Sequence, residues 1–333
     1  MKRALIIGIS GQDGAYLAQL LLEKGYEVHG SSRAHPTATF ANLQRLGIRD
    51  RITLHATVPS DFSSVMSLLK RQPVDEIYNL SGQTSVAASF LHPLETFDSI
   101  TVTTMNLLEG LRLLGGPVRF YNAGSSEVFG NTPEAATEST RFQPRSPYGI
   151  AKVAAHHAVA NYREAYGLSA STGILFNHES PLRPAHFVTQ KIVSAAVRIA
   201  TGSNERLTLG NMDISRDWGW APEYVEAMWR ILQQDQPDDF VVASGRTHTL
   251  REFIERTFAA VGLRAEEHVD ADPGLIRPTD ITASFADPAK AQAVLGWRAS
   301  SDLDAIIAKL VAAARETATA GTQRGTAMGN PGA

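Results

Sequence analysis

The chain has 333 residues, 43% hydrophobic and 20% charged, which suits one large or two modest globular domains. Thirty-one Lys and Arg against 34 Asp and Glu leave a net charge of −3, with no basic surplus to hold nucleic acid and no like-charged tail. The absence of cysteine excludes a disulfide framework, cysteine–zinc sites and a thiol nucleophile, and no metal site is expected.

Residues 4–7 read as a short buried strand, broken too soon by glycine to be a signal peptide. No apolar run approaches the ~18 residues of a membrane span, so a cytoplasmic enzyme with no membrane partner is expected. A helix through Leu17, Leu20, Leu21 and Leu22 follows, then strands at 27–30, 51–55 and 76–80, with a helix at 63–69. Residues 103–114 are helical, with Leu107, Leu108, Leu111 and Leu114 on one face. Strands at 118–123 and 171–176 flank the helix that carries Tyr148. This alternation predicts βαβ units in a doubly wound, Rossmann-type parallel sheet over residues 1–176. Beyond it, 177–184 reads as loop, 188–201, 224–234, 250–261, 287–295 and 302–316 as helices, and 240–243 as a strand. Residues 177–316 are expected to form a smaller α/β substrate-binding domain, with part of 210–250 returning to the first. The stretch 317–333, rich in Thr, Ala and Gly, predicts a disordered tail.

The first strand runs into Gly8-Ile9-Ser10-Gly11-Gln12-Asp13-Gly14, spaced G-x-x-G-x-x-G, and then into a helix. Glycines allow a tight turn and let the backbone approach a pyrophosphate that faces a helix N-terminus. In this strand–turn–helix context Gly8, Ser10, Gly11, Gln12, Asp13 and Gly14 are candidate dinucleotide contacts. The second strand ends Gly30-Ser31-Ser32-Arg33, without the acid that would bind a ribose 2′-hydroxyl in NAD. Arg33 and two hydroxyls suit a 2′-phosphate, so NADP is favoured.

Tyr148 and Lys152 stand at i and i+4 on one helical face, behind Ser146 as a cap and Pro147 in the first turn. The ammonium is expected to lower the phenol pKa and make it a usable base. Ser125 and Glu127 follow the fifth strand, at the sheet edge where parallel sheets bind ligands. Ser125, Glu127, Tyr148 and Lys152 are the expected catalytic set.

With these motifs the chain resembles the extended short-chain dehydrogenases/reductases, and within them the GDP-mannose 4,6-dehydratase family. The likeness reaches to about Trp297. The glycine motif and the Tyr–Lys pair are shared across the superfamily. Asn177-His178-Glu179-Ser180-Pro181 and Arg216-Asp217-Trp218-Gly219 are far more specific.

The resemblance implies a hydro-lyase with tightly held NADP and no net redox change, acting in deoxysugar biosynthesis for surface polysaccharide. Tyr148 would take the sugar 4-hydroxyl proton, Ser125 would bind O4 and Lys152 the cofactor ribose. Glu127 would take the C5 proton and help expel the 6-hydroxyl as water. Leu80 would border the cofactor. Ser85, Asn177, Glu179, Val188, Lys191, Arg216 and Arg277 would hold the GDP-sugar. A homodimer, possibly a homotetramer, is implied.

This chain departs from the family pattern in four places. Ser125 stands for threonine and keeps the hydroxyl. Arg33-Ala34 replaces two arginines, and the altered loop after it puts the tetramer in doubt. Ala56-Thr57-Val58 replaces Gly-Asp-Leu near the adenine. Leu182-Arg183 replaces two arginines after Ser-Pro. A GDP-manno-heptose substrate with the same chemistry, or a nucleotide-sugar 4-epimerase or reductase, therefore stays open.

Overall fold

The computed structural model describes the backbone of residues 1–33, 39–275 and 279–327, and side chains to residue 319. Six parallel strands come from the first half: β1 (Arg3–Ile7), β2 (Glu27–Ser32), β3 (Thr53–Ala56), β4 (Glu76–Asn79), β5 (Arg119–Ala123) and β6 (Ala170–Leu175). The second half adds β7 (Asn177–Glu179), β8 (Leu207–Leu209), β9 (Ser215–Trp220), β10 (Phe240–Val242), β11 (Thr247–Thr249) and β12 (Val269–Ala271). The helices are α1 (Gln12–Glu23), α2 (Ala41–Arg45), α3 (Phe62–Arg71), α4 (Val86–Leu91), α5 (Pro93–Phe97) and α6 (Thr103–Leu114). They continue as α7 (Pro147–Tyr166), α8 (Val188–Ala200), α9 (Ala221–Leu232), α10 (Leu250–Ala260), α11 (Ala289–Leu295) and α12 (Leu303–Ala327).

The main sheet runs β10-β6-β5-β4-β1-β2-β3, with every pairing parallel. Parallel strands covered on both faces must be apolar on both, and β1 shows it. Ala4 and Ile6 join Leu17, Ala18 and Leu21 of α1 and Met228 and Ile231 of α9 in one core. Leu5 and Ile7 join Val65 and Leu68 of α3 and Leu107 and Leu108 of α6 in another. The chain moves outward from β1 to β3, then crosses back to β4 on the other side of β1. The crevice at this reversal is where open parallel sheets bind ligands.

A third core packs α8, α10 and α12 around Trp218 and Phe253. Beside it lie a three-stranded sheet, β11-β9-β7, and a parallel pair, β12-β8. Part of the second half returns to the first: β10 pairs with β6, and α9 packs on α1. Asp239 anchors that return, accepting Thr172 N at 2.7 Å and both Arg163 guanidinium nitrogens at 3.1 and 2.8 Å.

Three expectations change. The stretch read as loop from 177 opens with β7, which pairs with β9; three residues carry no periodicity, so only the partner strand reveals it. The third strand begins two residues late, because Arg49–Arg51 forms a 3₁₀ turn. Helix α12 continues through Ala327, past the predicted start of a disordered tail. Alanine is the best helix former, and the Thr317 and Thr319 hydroxyls fold back onto the carbonyls of Ala313 and Arg315. Residues 328–333 lie outside those described.

Candidate active site

The reversal crevice is lined by a glycine cradle. Gly8 has φ +89°, and a Cβ there would meet the Leu80 carbonyl at 2.9 Å. A Cβ on Gly14 would come within 2.5 Å of the Gly8 carbonyl oxygen and 2.6 Å of Ile9 Cα. Gly11 caps α1 with no side-chain hydrogen bond, so the helix N-terminus stays open to an anion above it. Leu80 bonds back to the Ile7 carbonyl at 2.9 Å and forms the far lip. The residues present fit a dinucleotide pyrophosphate, which needs backbone approach without side-chain bulk. Ser10 is exposed on the rim, where its carbonyl accepts a bond from Asn42.

Gln12 and Asp13 point elsewhere than expected. The Gln12 amide reaches the His178 carbonyl at 3.3 Å, and its oxygen accepts the Ser180 hydroxyl at 2.7 Å. Asp13 Oδ2 pairs with His178 Nε2 at 2.9 Å. Burial would raise the Asp13 carboxyl, but the facing His178 outweighs it and holds it below its usual value. His178 moves up for the matching reason: burial opposes its charge, and Asp13 more than compensates. Both side chains therefore reach across to His178 and Ser180 at the start of the second half.

Four expected catalytic side chains converge at the C-terminal edge of β5. Ser146 caps α7, accepting Gly149 N at 3.0 Å, with Pro147 in the first turn. Tyr148 and Lys152 are buried on one face of that helix. The Ser125 hydroxyl lies near enough to the Tyr148 hydroxyl to favour the phenolate. Its own oxygen accepts Glu127 N at 3.3 Å, capping the short turn Ser126–Val128. A Cβ on Gly149 would meet the Glu127 carbonyl at 2.8 Å, so α7 and this turn are in contact.

The electrostatics differ from the sequence expectation. Burial pushes the Tyr148 hydroxyl up to about 12. The Ser125 hydroxyl and the Arg183 charge work against the rise, and the Glu127 carboxylate adds to it. Burial also drives Lys152 down to about 8, opposed by Asp13. Its ammonium sits 5.7 Å from the Tyr148 ring centroid and donates to the Ala123 carbonyl at 2.7 Å. The lysine is thus held beside the phenol without a direct bond to it. The cation that lowers the phenol here is Arg183, which the sequence reading noted only as a departure. Its guanidinium donates to the His178 carbonyl at 2.8 Å and stacks 4.1 Å from the Phe187 ring centroid.

The expected substrate contacts fall into groups. Asn177 begins β7, and Val188 and Lys191 lie in the first turn of α8, with Lys191 exposed. Ser85 caps α4, accepting Ala88 N at 3.2 Å. Glu179 is buried: its Oε2 accepts the Thr189 hydroxyl at 2.6 Å and faces Arg183 at 3.1 Å, and its Oε1 has no hydrogen-bond partner among the described residues. Arg216 is buried on β9, 3.6 Å from Asp280, rather than paired with Asp213 or Asp217. Those acids are engaged elsewhere, Asp213 by Arg251 and Asp217 by the amides of Ser244 and Arg246. Arg33 is exposed just past β2. Arg277 lies outside the described residues.

A buried lysine with a lowered pKa destabilises the fold wherever it must stay protonated. Below pH 8 that cost is complete; between pH 8 and about 10.5 the unfolded chain binds the extra proton, and the cost falls away as pH rises. Lys152→Met should therefore lose turnover yet melt higher than wild type at pH 7, with the gain shrinking across that window. Melting curves from pH 7 to 10.5 check this; a gain that grows with pH contradicts it.

The chain is similar to known proteins over most of its length. The family model described as GDP-mannose 4,6 dehydratase matches residues 5–310. GDP-mannose 4,6 dehydratase 1 of Arabidopsis thaliana is 45% identical over 320 residues, covering 93% of this chain and 89% of that protein. The GDP-mannose 4,6 dehydratase of Homo sapiens is 41% identical over 334 residues, covering 92% and 90%. Among solved structures, the dTDP-glucose 4,6-dehydratase DesIV of Streptomyces venezuelae, with NAD and TYD bound, superposes with a TM-score of 0.86 at 20% identity, covering 95% and 98%. A UDP-glucose 4-epimerase of Thermotoga maritima with UDP-glucose gives 0.85 at 21%, covering 95% and 99%. The structural likenesses carry the fold alone. The sequence likeness, which spans the whole site, places this chain in the GDP-mannose 4,6-dehydratase family.

Proposed function

We propose that this chain is a hydro-lyase that converts GDP-mannose to GDP-4-keto-6-deoxymannose. The observation that carries the reading is Glu127, a carboxylate close enough to the Tyr148 hydroxyl to raise its pKa. A 4-epimerase or reductase needs no base at C5; an elimination needs a base there and an acid at O6.

When bound, the nicotinamide supplies the redox chemistry, taking hydride from C4 and returning it to C6, so no net oxidation occurs. The chain's own residues handle the protons. Tyr148 takes the proton of the 4-hydroxyl, and Ser125, beside the phenol, holds O4. Lys152 binds the cofactor ribose. The 4-ketone acidifies the C5 proton, which Glu127 removes. The same carboxyl then protonates O6, the C6–O6 bond breaks and water leaves, and as C6 is reduced Tyr148 gives the proton it holds to C5, which closes the balance. Asn177, Val188, Lys191, Arg216 and Arg277 hold the GDP portion, where cations match the diphosphate. Ser85 completes the sugar side. Glu179 supports the site indirectly, through Thr189 and Arg183.

The hexose is preferred over the manno-heptose. Leu182, which stands where relatives of the resemblance carry arginine, is 6% exposed and packs in the core with the α1 leucines. It therefore does not enlarge the sugar end. The cofactor is NADP, because the cation after β2 is Arg33 and no carboxylate stands there to bind a ribose 2′-hydroxyl. The working unit is a homodimer. Leu91 and Leu94 are 76% and 85% exposed, and Val102, Met105 and Ile150 are exposed on the helices beside them. A second copy is the partner proposed to cover this apolar face.

Incubation with GDP-mannose, without added NADPH, should yield a product lighter by one water in mass spectrometry. Glu127→Gln should keep cofactor binding but dehydrate at least ~100-fold more slowly, the scale of a lost acid–base group; an unchanged mass with inverted stereochemistry in wild type would reassign the chain as an epimerase. Arg33→Ala should weaken NADP binding roughly tenfold or more and leave NAD binding unchanged, since one charge-assisted contact to the 2′-phosphate is lost. Fluorescence titration reads both constants, and equal losses for the two cofactors would reject the NADP preference. Light scattering should give twice the chain mass for wild type and a lower mass for Leu94→Glu; a wild-type monomer at micromolar concentration rejects the dimer.

A further inference from the structure

The helix from Pro93 to Leu114 is not uniform. Between α5 and α6, Asp98–Val102 takes the wider π-helical winding. Such turns are rare because their hydrogen bonds are poorer, and they gather at functional sites. Here side-chain hydroxyls bond carbonyls in the turn and just before it: Thr103 to Asp98 at 3.4 Å and Thr104 to Ile100 at 2.7 Å within it, and Ser99 to Thr96 of α5 at 3.2 Å.

Three consecutive residues of the turn touch three parts of the site. Ser99 Oγ accepts Gln83 N at 3.1 Å, in the loop that follows Leu80. Ile100, 2% exposed, packs against Tyr148, Ala151 and Ala155. It also closes over Gly82, where a Cβ would lie 2.9 Å from its Cγ1. Thr101 Oγ1 donates to the Ala151 carbonyl at 3.0 Å, one peptide before Lys152. Behind the turn, Thr104 accepts from Asn79, and Asn79 bonds Asn122, so the turn is also tied to the ends of β4 and β5. A regular α-helix would rotate these side chains out of phase with at least one of their partners.

We propose that this π-turn is the positioning element of the Tyr148–Lys152 pair, and that Thr101 is a positioning residue acting through the Ala151 carbonyl. The inference rests on the chemistry proposed for Tyr148 and Lys152. The turn sets the distance between α7 and the sheet edge. That distance brings the Tyr148 hydroxyl to Ser125 and the Lys152 ammonium to the Ala123 carbonyl.

The test is kinetic. Thr101→Val keeps the shape and removes the hydrogen bond. It should lower kcat roughly tenfold with KM for GDP-mannose unchanged, since small misplacements of reacting groups cost up to ~100-fold. It should also enlarge the kinetic isotope effect from deuterium at C4 of the sugar, because C4 oxidation becomes limiting. Thr101→Ser should restore both. Ser99→Ala, which releases Gln83 from the same turn, should lower kcat in the same direction and serves if the valine variant does not fold. Wild-type kcat and isotope effect in Thr101→Val, or in Ser99→Ala where the valine variant is unfolded, overturn the proposal, as does a loss that Thr101→Ser fails to restore. Tyr148→Phe is measured alongside. Turnover retained there removes the assigned base and the positioning role with it. Turnover lost there, with full activity in Thr101→Val, rejects the role of the turn alone.

Discussion

A half-buried contact between the Asp13 carboxylate and the His178 imidazole, in which each raises the other's tendency to carry charge, joins the two halves of the site. Asp13 sits in the first turn of α1, beneath the glycine cradle, and His178 lies on β7, the first element of the second half. Taking such groups out of water is costly unless each finds a partner. The surroundings offset part of that cost. His178 Nδ1 bonds the Phe176 carbonyl at 2.7 Å, Gln12 bridges to Ser180, and the imidazole stacks on Tyr224. The cofactor cradle and the start of the substrate side are therefore held in one register.

From that register the electrostatics of the centre follow. Burial dominates both Tyr148 and Lys152 and pushes each toward its neutral form. A neutral phenol near pH 7 is a poor base by itself. The groups around it then decide its use: Ser125 and Arg183 favour the phenolate, and Glu127 disfavours it. Arg183 belongs to the same network as His178, so the loop after β7 reaches both the Asp13 pair and the tyrosine.

Much of this was readable in the sequence where the pattern is local. The glycine cradle, the Ser146 cap and the i, i+4 spacing of Tyr148 and Lys152 depend on a few neighbouring residues, and all three appear as read. The alternating strands and helices likewise led to the parallel sheet. What escaped was non-local. Nothing in Asp98-Ser99-Ile100-Thr101-Val102 marks a π-turn, because its winding is selected by contacts with Gly82, Gln83 and Ala151. The side chains of Gln12 and Asp13 looked like phosphate contacts, since their partners lie some 165 residues away.

The sequence by itself determined the fold class, the glycine turn that opens α1 and the helical face that carries Tyr148 and Lys152. Backbone geometry and side-chain chemistry at each position follow from the residue and its near neighbours. The tertiary structure alone decided which of those residues act as neighbours. It turned Glu179 into a support for Arg183 and Leu182 into core, and it placed Arg183 where its charge reaches Tyr148. A pKa depends on burial and on charges within a few ångströms, and both are properties of packing, not of order along the chain.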